Sequence, residues 1–228
     1  MHFNLLQKII IWAIPLIFAI TVHETAHGWV ASKCGDPTAK MLGRLTLNPI
    51  KHIDPVGTII LPLILLLLPG HFMFGWAKPV PVDYRNLRKP RPHMALVAAA
   101  GPVSNFLMAC IWAVVAKIGV AVLGFDQWTG TILAAMGTAG IFVNIMLGVL
   151  NLIPLPPLDG SRIVSSMLSP NAAWRYSQIE RYGFIILIVL MVTGLLGRIL
   201  WPILAMVVSL IGWMFGLDIG SLQWLLMS

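Results

Sequence analysis

The stretch HETAH, His23 to His27, holds residue types at a spacing that suits metal-dependent hydrolysis. On a helix, His23 and His27 stand one turn apart on one face, with Glu24 beside them. Two imidazoles so placed can bind one zinc ion, and the carboxylate can take a proton from a water that the ion activates. The simpler reading is a chance pair of histidines on the surface of a soluble helix. The setting weighs against it, because HETAH lies in an apolar run of 23 residues, Ile9 to Ala31. As a helix that run is roughly 34 Å long, enough to cross a bilayer, and ionisable groups inside a span are costly unless paired or functional. A secretory signal is a poor fit too. The run is too long, only Lys8 precedes it, and three ionisable groups sit in its last third.

Composition says what must position these residues. The chain has 228 residues, of which 58% are hydrophobic and only 10% charged, with a mean hydropathy of +0.89. Soluble domains average about 25% charged residues, so this reads as an integral membrane protein. Apolar runs of about 20 residues without alternation predict helices and not barrel strands. A net charge of +7 would suggest nucleic acid for a soluble chain; placed between apolar runs it is a topology signal, and no nucleic-acid partner is expected. Cys34 and Cys110 are too few for a disulfide framework.

Ser32 to Pro55 is polar, and Asp54-Pro55 reads as a helix cap followed by proline at the first helical position. Val56 to Pro69 has 14 residues interrupted by Pro62. At roughly 21 Å it is too short to span, which favours a re-entrant or surface segment. In Ala77 to Asp83, AKPVPVD, valine alternates with proline, which suits an extended edge strand. Met94–Phe125 and Thr131–Ile153 are further spans. The second carries Gly140, Asn144, Gly148 and Asn151 on one stripe that faces the bundle. It ends in NLIPLPPLDGSR, where prolines break the helix just before Asp159; such breaks are tolerated where they line a cavity. Residues 183–217 are supporting helices that cross once or twice.

Charge and length can be checked against each other. Loops 32–55, 70–93 and 160–182 hold four, five and three basic residues, and turn 126–130 holds none. The positive-inside rule puts the three loops in the cytoplasm, provided 56–69 does not cross. HETAH and Asp159 then lie towards the same, cytoplasmic, side. Zinc hydrolases usually supply three protein ligands and keep one position for water. Among the acidic residues, Asp159 combines the right side with a helix break, although an aspartate-glycine turn that merely caps a helix is the alternative.

With these elements the chain resembles the site-2 protease family of intramembrane zinc metalloproteases. The matching stretches are HETAH, NPIKHIDPVGT from Asn48, GWAKPVPV from Gly75, AGPVSN from Ala100 and NLIPLPPLDG from Asn151. The resemblance implies His23, His27 and Asp159 as ligands of one zinc ion, Glu24 as catalytic base, and a role for Asn151 near the substrate or the developing oxyanion. Family members commonly carry DGG where this chain has Asp159-Gly160-Ser161, and many add a PDZ or CBS domain, neither of which is visible here.

The expected architecture is therefore an all-α polytopic protein of the cell membrane. It has about five or six transmembrane helices, a re-entrant segment, and a short β-like edge segment near the site. The whole of 1–228 is one metalloprotease domain, with a catalytic core over about 5–168. Its substrates would be transmembrane segments of other proteins, which must unwind before cleavage and could pair with the edge segment at Val80 and Val82. The rival reading is an ion- or proton-coupled transporter, since a broken helix with an intramembrane acid also builds ion sites. Substrate identity and oligomeric state are not legible.

Overall fold

The structure, a computed structural model, describes residues 3–60 and 77–227. Helix α1 (Leu5–Cys34) begins with reciprocal capping, the Asn4 side chain accepting from the Gln7 N–H and the Gln7 side chain from the Asn4 N–H, each at 2.9 Å. It stops at Gly35, whose φ of 116° is open to glycine without strain. A short α2 (Thr38–Met41) follows. The long helices α3 (Pro90–Val122) and α4 (Gln127–Asn151) form a tight hairpin, Asp126 capping α4 through the amides of Trp128 and Thr129. Beyond the break come α5 (Asp159–Met167), α6 (Pro170–Ser177), α7 (Glu180–Val192), α8 (Leu195–Phe215) and α9 (Ile219–Met227).

Four helices among the described residues, α1, α3, α4 and α8, are long and apolar enough to cross a membrane. The protein is a multi-pass membrane protein. Residues 183–217, expected to cross once or twice, divide at Gly194, leaving α7 with 13 residues. At roughly 20 Å such a helix is shorter than the hydrocarbon layer. Of the expected re-entrant segment, Pro55–Ile60 forms one wide helical turn, and 61–69 lie outside the described residues. Asp54 caps that turn as expected, accepting from the amides of Val56 and Gly57.

The segment 77–83 is irregular, and no strand occurs among the described residues. Two of its residues are prolines without an N–H. The amides of Lys78, Val80 and Asp83 go instead to the His52 carbonyl, Glu24 and Asp36.

The α3–α4 interface is the most extensive among the described residues, and its residue types explain that. Ala109, Ala113, Ala116, Ala134, Ala135 and Ala139 are fully buried. A Cβ on Gly137 would lie 2.4 Å from the Ala116 amide nitrogen. Small residues let the backbones approach where lipid supplies no hydrophobic drive. Helix α1 packs across both members of this pair, which sets HETAH against the middle of α3. At the far end Lys117 donates to the Phe215 carbonyl at 2.9 Å. The C-terminus of α8 therefore lies at the same end of the bundle as the α3–α4 turn.

Candidate metal centre

Helix α1 presents His23 and His27 on one face, as the four-residue spacing requires, and their rings meet edge to face with Nε2 atoms 3.1 Å apart. Asp159 comes from the first turn of α5. Its carboxylate does not cap that helix; the residue in the cap position is Leu158, which makes no side-chain cap bond. Instead Oδ2 stands 3.2 Å from Nε2 of both histidines. The capping alternative for Asp159 is thereby excluded. The break from 152 to 158 that delivers it is held by Tyr176, whose hydroxyl donates to the Pro154 carbonyl at 2.7 Å. Ser161 is buried and satisfies its hydroxyl on the Leu158 carbonyl.

The other ring nitrogens are committed elsewhere. His27 Nδ1 lies 2.7 Å from the Val97 carbonyl, which can only accept, so that nitrogen carries the proton. His23 Nδ1 lies 2.6 Å from Asn105 Oδ1. Both Nε2 atoms, when the rings are neutral, are then bare acceptors facing a third acceptor, Asp159 Oδ2, which is buried and has no hydrogen-bond partner. Three lone-pair donors converging at 3.1–3.2 Å repel one another unless a proton or a metal ion lies between them. Tetrahedral ligand atoms around zinc stand about 3.3 Å apart, so the set fits that ion. No other group of three metal-ligating side chains occurs among the described residues.

Glu24 lies beside the triad. Its Oε2 accepts from the Val80 N–H at 2.7 Å, so the 77–83 segment reaches the site through its backbone. A cavity of about 360 Å³ opens here, lined among others by His23, Glu24, Pro79, Asn151 and Leu158. Asn151 thus shares the cavity while its amide donates to the Leu147 carbonyl at 2.9 Å. Val82 does not line it, and packs with Val30 and Tyr84 against the end of α1 and Leu87. His52 is buried away from the triad, bonded to the Thr46 carbonyl.

Comparison with known proteins identifies the family. The pattern of peptidase family M50 matches residues 118–194. YwhC of Bacillus subtilis, described as a candidate zinc metalloprotease, is 46% identical over 199 residues, 84% of each chain. The chain belongs to peptidase family M50. Two further relatives bear the name Rip2 and the same description. The Mycolicibacterium smegmatis protein is 28% identical over 80% of this chain and 66% of its own length, and the Mycobacterium tuberculosis protein 24% identical over 88% and 68%. No solved structure matches the chain. As an M50 peptidase the protein is a zinc metalloprotease, and the three converging acceptors are where its structure can accommodate the ion.

The sequence did not reveal what α3 contributes to this M50 site. Val97, Gly101 and Asn105 recur at steps of four and form the ridge that faces the histidines. A Cβ on Gly101 would fall 2.5 Å from His23 Cε1 and from His27 Nε2. The signal was present in AAAGPVSN, a run of small and polar residues inside a span, but nothing local says which helix it meets.

Proposed function

We propose that this M50 peptidase is an intramembrane zinc endopeptidase that cleaves transmembrane segments of other membrane proteins. His23, His27 and Asp159 hold one zinc ion, and Glu24 is the catalytic base. The observation that carries the reading is the convergence of three acceptors whose histidine members have their remaining nitrogens engaged. When bound, zinc lowers the pKa of a coordinated water to about 7 and polarises a carbonyl oxygen.

The chain's own groups do the rest. The Val80 N–H holds Oε2 of Glu24, leaving Oε1 to take the water's proton and hand it to the leaving amine. Asn151 uses one amide hydrogen on Leu147, and its second can meet the oxyanion of the substrate carbonyl. An unwound substrate would pair beside Val80 and Val82. Since Val80's amide is engaged and Pro79 and Pro81 have none, that pairing runs through the Val82 amide and neighbouring carbonyls.

Residues 1–228 act as one domain, with the site nearer the cytoplasmic face. The basic loops support this, since α1 leaves the bilayer towards Lys33 and residues 77–91 carry five cations. The test is metal analysis together with cleavage of a reconstituted transmembrane substrate. Glu24→Gln is expected to retain one zinc per chain and lose cleavage by about 10²–10⁴-fold. A transporter would need no zinc, and ion flux that stops in Glu24→Gln without any peptidase activity in the wild type would favour it.

A further inference from the structure

The buried polar pair on α3 and α4 is not required by helix packing alone, and its hydrogen-bond directions can be followed from end to end. Asn105 and Asn144 are both fully buried. Asn144 Nδ2 lies 2.9 Å from the Gly140 carbonyl of its own helix. That carbonyl only accepts, so the side-chain oxygen of Asn144 must point the other way, towards Asn105 Nδ2 at 3.0 Å. Asn105 Nδ2 is also 3.3 Å from the Ala19 carbonyl of α1. With its amide nitrogen donating twice, Asn105 can offer His23 only an acceptor, at 2.6 Å from Nδ1.

We propose that Asn105, oriented by Asn144 and the Ala19 carbonyl, is a positioning residue that fixes His23 in the tautomer whose bare Nε2 faces Asp159. Two main-chain carbonyls, one on α1 and one on α4, thus dictate the state of a side chain neither touches. His27 needs no such relay, because the Val97 carbonyl meets its Nδ1 directly. The asymmetry has a geometric cause. His23 is opposite a side chain one helical turn beyond Gly101, and that side chain could rotate unless held at its far end. Outer partners of this kind orient a metal-binding imidazole and raise its basicity.

The inference rests on the zinc reading, and the experiment separates the two. Full-length protein in detergent micelles is titrated with zinc against a competing chelator. The metal-free protein, labelled with ¹⁵N-histidine, reports the protonated ring nitrogen of His23. Asn105→Leu, close in size but without an acceptor, is expected to bind zinc about 10–100-fold more weakly and to show mixed His23 tautomers. Asn105→Asp keeps an acceptor opposite Nδ1 whichever way it turns, although it loses both far-end donors, and is expected to keep the single Nδ1–H signal of His23.

Should Asn105→Leu fail to fold, Asn144→Leu serves. It leaves the His23 contact and the Ala19 carbonyl but removes the shorter of the two far-end bonds, and a measurable loss of affinity with a shifted tautomer signal is expected. A folded Asn105→Leu protein with wild-type affinity and a single Nδ1–H signal would overturn the proposal, as would an Asn144→Leu protein unchanged in both. Wild-type protein that binds no zinc would instead overturn the proposed function itself, before any variant is made.

Discussion

At the scale of single residues, the site depends on side chains kept out as much as on those present. Gly101 leaves the two imidazoles room to face each other. Gly101→Ala is expected to lower zinc affinity on the order of tenfold or more, because the methyl would displace a ring that α1 cannot easily move; metal content after dialysis measures it. Val80 acts through its backbone alone. Val80→Pro removes the N–H that holds Glu24 Oε2 and is expected to slow turnover about tenfold with zinc retained, in keeping with a general base contributing 10²–10⁴-fold overall. Equal loss of zinc and activity would mean that the segment has collapsed instead.

At the scale of elements, the 77–83 segment is held in place by Asp36, just past the end of α1. This buried carboxylate accepts from the Asp83 amide at 2.8 Å, from Asn86 Nδ2 at 3.1 Å, and from the amide and hydroxyl of Thr38. Burial pushes its pKa upwards, but bonds from Thr38, Asn86 and the Asp83 amide outweigh it, so the folded value lies below the ordinary 3.8. The sign follows from linkage: a depressed folded pKa gives stability that is present above 3.8 and lost as pH falls below it through the folded value. The thermal midpoint of the wild type should drop as pH falls below about 4, and that of Asp36→Asn should start lower and drop less. A parallel pH dependence in the two proteins would remove Asp36 from the account. In the α3–α4 hairpin, Gly137→Leu forces a side chain into the Ala116 backbone and should cost about 1–3 kcal/mol, read as a lower unfolding midpoint.

At the scale of the whole molecule, the bond from Lys117 to Phe215 relates two ends that charge counting leaves unrelated. If the basic loops face the cytoplasm, the α3–α4 turn and the C-terminus of α8 both face outward. A cysteine at Phe125, 95% exposed, should react with a membrane-impermeant reagent from outside intact cells, and one at Arg85 only after permeabilisation. Labelling of both from the same side would reverse or dissolve this topology. The two native thiols, Cys34 and Cys110, are replaced first.

What the sequence determined by itself was whatever depends on neighbours along the chain. The pairing of His23 with His27 follows from the helical repeat, the long apolar helices from run length, and the exit of Asp159 from the prolines before it. Only the tertiary structure decided which way each side chain faces between helices. The bond from Val80 to Glu24 stands where a strand was expected, because proline removes ladder donors and the amides of Lys78, Val80 and Asp83 found other acceptors. Asn105 stands 82 residues from the histidine it orients, and Val97 stands 70 from its own. Contacts across such separations are fixed by how closely small residues let helices approach, and residue order alone does not specify that distance.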